Sequence, residues 1–184
     1  MELDYPKQFL EIKGKPIFIK TLEVIEKVEK VKGIIVVTNE EYILKVEELC
    51  KKFGITKIKE VVAGGKERQD SIYNALLKVP KNTIIGVQDG VRPFIEERYI
   101  VESYDKLMAE PKLDGIVVGV PVKDTIKVIG ENRKIKTTPN RETLFSAQTP
   151  QIFRSEILWE SYKQAKEDKF IGTDDSSLVE RIGG

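Results

Sequence analysis

Four short runs of apolar and β-branched residues constrain the fold more than any other feature of this sequence. They are Gly33–Thr38, Ile58–Val62, Thr83–Val87 and Gly115–Val120. Continuous apolar runs of this length are typical of strands that are buried on both faces of a sheet, as parallel strands are. The sequence therefore predicts a mostly parallel sheet that is covered on both faces.

The segments between these runs have the spacing of amphipathic helices. One example is the series Ile72, Ala75, Leu76 and Val79. Further helices are predicted at Ile17–Val28, Glu41–Phe53, Glu97–Met108 and Ser155–Lys166, with Asn39 and Ser155 as candidate caps. Strands that alternate with helices predict a Rossmann-like, three-layer α/β/α sandwich.

Residues 120–150 depart from this alternation. Two β-rich pieces, PVKDTIKVI and RKIKTT, flank Gly130-Glu131-Asn132, which has the composition of a hairpin turn. We interpret the segment as a protruding β-arm. No repeat, low-complexity tract or linker marks a second domain, so we expect one domain over residues 1–184.

Composition excludes several classes of function. The chain has no histidine, which excludes Ser-His-Asp triads and most zinc sites. Its 31 basic and 30 acidic residues are too balanced for a nucleic-acid binder. A single cysteine, Cys50, fits a reducing cytoplasm, and no apolar run is long enough to predict a membrane span. Chemistry must then depend on carboxylates, Lys, Arg, hydroxyls and a metal ion.

Asp89 is the strongest candidate for a metal ligand. It follows the run Thr83–Val87, and ligands of open α/β sheets bind at the carboxyl ends of the strands. Mg²⁺ uses few protein carboxylates and completes its shell with water and substrate phosphates, so one Asp beside Gly90 suits a metal–nucleotide site. The alternative is a plain Asp-Gly turn with Arg92 on the surface.

Two other segments have the residue types of an anion site. Gly64-Gly65 leads into a predicted helix with Lys66 and Arg68, and backbone N–H groups at a helix start can hold an anion. Lys7 follows a proline, where an extended chain can direct its ammonium group at a phosphate. The alternative for Gly64-Gly65 is a simple turn, and the alternative for Lys7 is a solvated lysine.

Taken in order, six segments resemble the 2-C-methyl-D-erythritol 4-phosphate cytidylyltransferase family. They are PKQFLEIKGKP, AGGKERQDSI, QDGVRPF, VPVKDTIK, AQTPQIF and TDDSSLVE. The resemblance implies a nucleotidyltransferase α/β sandwich whose β-arm interlocks two subunits of a homodimer. It also implies cytidylyl transfer from CTP to a polyol phosphate, 2-C-methyl-D-erythritol 4-phosphate, with Mg²⁺ as the cofactor. The products would be 4-diphosphocytidyl-2-C-methyl-D-erythritol and pyrophosphate, in isoprenoid precursor synthesis.

The resemblance assigns roles to eight residues. It implies that Lys7 contacts the nucleotide phosphates, that Gly65 and Ser71 hold the cytidine, and that Asp89 binds Mg²⁺ with Gly90 beside the nucleotide. For the arm, it implies that Thr125 and Arg141 hold the sugar-alcohol phosphate in the neighbouring subunit's site, while Thr149 lies close by.

The sequence departs from the family pattern in three places. The family has a strand and a glycine-rich loop before the position of Met1, and a further strand after that of Gly184, so we expect a chain truncated at both ends. Gln88 stands where many members have histidine. Two alternatives stay open: a ribitol 5-phosphate cytidylyltransferase, and a catalytically silent homologue that only dimerises or binds nucleotide.

Overall fold

The computed structural model describes residues 6–184 and confirms the alternation of strands and helices. The strands are β1 (Glu11–Ile12), β2 (Lys15–Pro16), β3 (Ile34–Thr38), β4 (Ile58–Ala63), β5 (Ile84–Val87), β6 (Gly115–Pro121), β7 (Val128–Ile129), β8 (Ile135–Thr137) and β9 (Phe145–Arg154). The helices are α1 (Ile17–Lys27), α2 (Ile43–Lys52), α3 (Arg68–Leu76), α4 (Glu97–Ala109), α5 (Ser155–Glu167) and α6 (Asp175–Arg181). The four predicted strands and the four helices with predicted bounds lie within one or two residues of those bounds, whereas α3 ends at Leu76, three residues before the predicted Val79.

The strand pairing differs in part from the prediction. β3 and β4 pair in parallel, as the apolar runs indicated. β5 and β6 instead lie on either side of β9, and both pair with it in the antiparallel direction. We did not predict β9, because its middle is the polar segment Thr149-Pro150-Gln151, which is typical of a turn; the Thr149–Pro150 peptide bond is cis.

Two hydrophobic clusters support the strands. In the first, α1 and α2 cover β3 and β4, and its buried members include Ile19, Val46, Cys50 and Val61. In the second, α5 and α6 cover β9, and its buried members include Phe153, Leu158, Tyr162 and Leu178. Burying one such side chain contributes about 1.5–3 kcal/mol. The clusters therefore fix the loops that follow β4 and β5.

Helix α3 joins the two clusters. It contacts β3 and β4, while its Leu76 belongs to the second cluster. A capping box begins the helix, in which the Glu67 and Asp70 side chains each accept from the other's backbone N–H. The turn before α3 is thus held in place at the ends of β3 and β4.

The predicted caps are partly wrong. Asn39 precedes a short 3₁₀-helix and makes no side-chain cap. Ser155 is the first residue of α5, and its Oγ accepts from the backbone N–H of Thr83 at 3.0 Å, which ties α5 to the start of β5. Asp174 caps α6 by accepting from the backbone N–H of Ser177 at 2.9 Å.

The predicted hairpin of the arm is present. β7 and β8 pair in the antiparallel direction, and the connection between them contains Asn132 with a φ of 56°. Residues 123–129 and 131–138 are exposed. Among the helices of residues 6–184, none combines the length and apolar character that a bilayer crossing requires.

Candidate active site

Asp89 lies directly beyond the end of β5, where the sheet pattern predicted a ligand site. Its backbone N–H donates to Thr149 Oγ1 at 3.3 Å, and its carbonyl oxygen accepts from the backbone N–H of Arg92 at 3.2 Å. The carboxylate is 31% exposed. The geometry therefore brings the predicted residues Asp89 and Thr149 together and leaves the carboxylate open to a ligand.

Two guanidinium groups flank the Asp89 carboxylate. Arg92 Nε donates to Oδ2 at 2.9 Å, and Arg68 Nη2 lies 3.6 Å from Oδ1. Arg92 also donates to Gln148 Oε1. Ion pairs between partly exposed groups contribute only about 0–1 kcal/mol, so both arginines can exchange Asp89 for a phosphate at little cost.

The Gly64-Gly65 turn follows β4, which lies in a separate sheet from β5, and leads into α3, whose Arg68 reaches Asp89. We call the ends of β4 and β5, with the residues that follow them, the sheet edge. Gly65 N–H donates to Ser71 Oγ at 3.0 Å, and that hydroxyl donates to the Glu67 carbonyl oxygen at 3.1 Å. A Cβ atom at Gly65 would lie 2.2 Å from Asp70 Cβ, so only glycine fits this close approach. The predicted residues Gly65 and Ser71 are thus brought together, with Ser71 bracing the turn.

Gly90 is held by a buried threonine of α1. The Thr21 hydroxyl, on a fully buried side chain, donates to the Gly90 carbonyl oxygen at 2.9 Å. Gly90 itself is exposed, and among residues 6–184 a Cβ there would have only Phe18 Cβ within contact distance, at 3.9 Å. The surface beside Asp89 is therefore open.

Lys7 lies before α1, near the start of the described residues. It begins the 3₁₀-helix Lys7–Phe9, whose Phe9 is buried against α1, and its own side chain is exposed. Within residues 6–184, no ion pair or hydrogen bond joins Lys7 to Asp89, Arg68 or Arg92.

Thr125 and Arg141 lie together on the arm. Arg141 Nη1 donates to the carbonyl oxygen of Lys123 at 2.9 Å, two residues before the exposed Thr125. Across the described part of the chain, no hydrogen bond or ion pair joins either residue to Asp89. Apart from Lys7, the predicted site residues thus fall into two groups, one at the sheet edge and one on the arm.

Sequence reasoning missed the residues behind Arg68. Asp175 has 0% exposure; its Oδ2 accepts from Arg68 Nη2 at 2.7 Å, and its Oδ1 accepts from the Tyr162 hydroxyl. Burial, and then the nearby Asp175 charge, raise the pKa of Tyr162, so the phenol stays a neutral donor. In sequence, Asp175 resembles a second capping residue, and nothing local marks a buried carboxylate.

Asp174 belongs to a polar network beside Asp175. Gln151 Nε2 donates to Asp174 Oδ2 at 2.8 Å. Partial burial alone would raise the pKa of Asp174, but the hydrogen bonds from Gln151 and from Ser177 outweigh it and lower the pKa. The start of α6 is therefore held by hydrogen bonds to β9 and carries a charged carboxylate.

The donor set fits Mg²⁺ bound through one protein carboxylate. Among residues 6–184, no three Cys, Asp or Glu side chains converge as a metal cluster would require. Asp89 is a partly exposed carboxylate at a sheet edge, with cations on both sides that suit phosphates. A magnesium ion that shares its other positions between water and substrate phosphates needs no more than this.

Solved structures with the same fold define the class of the protein. The chain superposes with a TM-score of 0.85 and 26% identity on 4-diphosphocytidyl-2C-methyl-D-erythritol synthase from Anaerococcus prevotii, covering 94% of this chain and 74% of that one. The Francisella tularensis 2-C-methyl-D-erythritol 4-phosphate cytidylyltransferase gives a TM-score of 0.81 over 98% of this chain and 81% of that one, at 24% identity. The fold is that of an α/β nucleotidyltransferase.

Sequence comparison identifies the family. The chain is 42% identical to 2-C-methyl-D-erythritol 4-phosphate cytidylyltransferase of Fusobacterium nucleatum, over 100% of this chain and 79% of that protein. It is 43% identical to the enzyme of the same name from Clostridioides difficile, over 100% of this chain and 76% of that protein. The family model described as "IspD: 2-C-methyl-D-erythritol 4-phosphate cytidylyltransferase" matches residues 1–184. The chain belongs to this family and is a nucleotidyltransferase.

Proposed function

We propose that the protein transfers a cytidylyl group from CTP to 2-C-methyl-D-erythritol 4-phosphate. The products are 4-diphosphocytidyl-2-C-methyl-D-erythritol and pyrophosphate, a step of isoprenoid precursor synthesis. The observation that carries the proposal is the position of Asp89 beyond β5, between Arg68 and Arg92, in a chain that matches the family over its whole length.

The reaction needs charge neutralisation more than covalent chemistry. A phosphate oxygen of the polyol phosphate attacks the α-phosphorus of CTP, and the bond to the pyrophosphate leaving group breaks. Nucleophile and CTP are both anions, and two unit charges 4 Å apart repel by about 1 kcal/mol in water but about 4 kcal/mol at an effective dielectric of 20. Cations held in place before the reaction therefore stabilise the transition state.

The sheet edge is proposed to bind the nucleotide. Gly65 and Ser71 would hold the cytidine, since the hydrogen bond between them fixes a tight turn at the start of α3, where the close approach of Asp70 admits only glycine. Gly90 would allow close approach of the nucleotide beside Asp89. Lys7 would reach the triphosphate from the exposed 3₁₀-helix.

Asp89 is proposed to hold Mg²⁺ at this edge. When bound, the ion would neutralise the phosphate charge that builds up during transfer. Arg92, which now pairs with the Asp89 carboxylate, would turn to the phosphates as the carboxylate takes up the ion. Arg68 stays beside the site because a second carboxylate holds it.

The arm is proposed to complete the site of a second copy of the chain in a homodimer. Thr125 and Arg141 would bind the polyol phosphate there, with Thr149 of the receiving subunit nearby. Exposed apolar side chains support this assembly, because six large ones cluster within residues 120–150: Val120, Ile126, Val128, Ile129, Ile135 and Phe145. A cytoplasmic location is also proposed, since Cys50 is a free, buried thiol.

Pyrophosphate release tests the proposed activity. We expect release with CTP, Mg²⁺ and 2-C-methyl-D-erythritol 4-phosphate, and a loss of roughly 10²- to 10³-fold in Asp89→Ala. Asp105→Ala, which removes an exposed carboxylate of α4 that pairs with Lys30, is the matched control and should keep full activity.

Two results would contradict the proposal. Faster turnover of ribitol 5-phosphate would identify a pentitol-phosphate cytidylyltransferase instead. CTP binding and dimer formation without pyrophosphate release, with any divalent metal, would identify a silent homologue.

A further inference from the structure

Asp175 is a buried carboxylate that the proposed chemistry does not use directly. It lies in the first turn of α6 and has 0% exposure. A buried charge is costly unless it is paired and hydrogen-bonded, and both Asp175 oxygens have partners, Tyr162 on one side and Arg68 on the other. The fold therefore maintains this carboxylate together with its arginine.

One atom of Arg68 connects Asp175 with the proposed metal ligand. Nη2 lies 2.7 Å from Asp175 Oδ2 and 3.6 Å from Asp89 Oδ1. The closer carboxylate is fully buried, whereas Asp89 is 31% exposed. The guanidinium is therefore bound by the interior carboxylate and only touches the one at the site.

Metal binding at Asp89 depends on which carboxylate holds Arg68. An arginine free to form a two-point ion pair with Asp89 would occupy the oxygens that a magnesium ion needs. An arginine already committed to Asp175 leaves Asp89 Oδ1 available and keeps a positive charge beside the phosphates. The two carboxylates thus compete for one guanidinium.

We propose that Asp175 is a positioning residue: by binding Arg68 it keeps the guanidinium from pairing fully with Asp89 and so maintains the metal affinity of the site. This inference rests on the proposed role of Asp89 as a metal ligand. Arg68 acts at the site, whereas Asp175 acts only through Arg68.

The test is a direct measurement of Mn²⁺ affinity by titration calorimetry in the presence of a non-hydrolysable CTP analogue. We expect Asp175→Asn to weaken Mn²⁺ binding roughly tenfold, because Arg68 moves onto Asp89. Adding Arg68→Gln to Asp175→Asn should restore the affinity, since the competing cation is gone. Tyr162→Phe, which leaves the Asp175 charge in place, is the matched control and should bind Mn²⁺ like the unmodified chain.

The outcomes separate this inference from the proposed function. If Asp89→Asn does not weaken Mn²⁺ binding in the unmodified background, the metal site is wrong and the inference falls with it. If Asp89→Asn does weaken binding but Asp175→Asn does not, or if Arg68→Gln fails to restore it, the positioning role is wrong while the metal site stands.

A measurement on the unmodified chain covers the case in which Asp175→Asn does not fold. Nitrogen-15 NMR of the Arg68 guanidinium should show hindered rotation of its Nη groups both without and with Mg²⁺ and the CTP analogue. Free rotation in either state would overturn the proposal, because Asp175 would then not be holding the side chain.

Discussion

Asp89 and Arg141 are proposed to serve one reaction, but their surroundings differ. Asp89 follows a strand that pairs with β9, and its backbone and side chain contact Thr149, Arg92 and Arg68. Arg141 lies on an exposed arm, where its hydrogen bond goes to a backbone carbonyl of the same arm. One residue is positioned by the packed interior of the chain, and the other by the exposed arm.

This difference in surroundings indicates how the sheet edge and the arm could each contribute to a complete site. The sheet edge, which is proposed to bind the nucleotide, is supported by residues of its own chain. These include the buried Asp175, which binds Arg68. The arm instead presents apolar side chains to solvent, which is the composition of a surface that another molecule covers. We therefore propose that the sheet edge acts within its own chain and that the arm acts across a dimer.

The largest expected effect on folding comes from a change in the second hydrophobic cluster, which supports the sheet edge. Leu158 of α5 has 0% exposure and packs in the second cluster. Leu158→Ala should lower the free energy of unfolding by about 2–5 kcal/mol, measured by urea denaturation, because it leaves a cavity under β9.

Leu77→Ala is the matched control for this prediction. Leu77 is 56% exposed, so the same deletion should change the free energy of unfolding by less than about 0.5 kcal/mol. Equal losses in the two variants would mean that the second cluster is not what supports the edge.

A smaller effect on folding is expected on the arm. Ile135 is 62% exposed within the chain, so Ile135→Ser should leave the unfolding of the dilute protein within about 0.5 kcal/mol of the unmodified chain. The same change should weaken the dimer, measured by sedimentation velocity over a range of concentrations, because the apolar contact across the interface is lost. If the unmodified chain is a monomer at all concentrations, the proposed role of the arm across a dimer is wrong.

Much of the fold could be predicted because its signals are local. The apolar run Ile34–Thr38 and the helical spacing in Glu97–Ala109 each indicate an element from neighbouring residues alone. β9 was missed because its middle is polar, although Pro150 and Gln151 are buried and Gln151 pairs with β5 and β6, which are distant in sequence. Burial of this kind cannot be inferred from the segment itself.

The site shows the same division between local and distant signals. Asp89 could be predicted from its place after β5, and Gly65 from the turn before α3. The contact of Arg68 with Asp175 joins positions 107 residues apart and depends on how α6 packs against α5. Local sequence patterns therefore show Arg68 and Asp175 separately but do not show that they form an ion pair.

The measurement that tests the central claim most directly is complementation between two inactive variants. Asp89→Ala and Arg141→Ala chains, coexpressed with different tags, are assayed for pyrophosphate release from CTP and 2-C-methyl-D-erythritol 4-phosphate. If the arm serves the partner's sheet edge, each mixed dimer regains one intact site, and the mixture should recover about a quarter of the unmodified activity. A mixture no more active than the two variants measured separately would show that both residues act within one chain and would contradict the account.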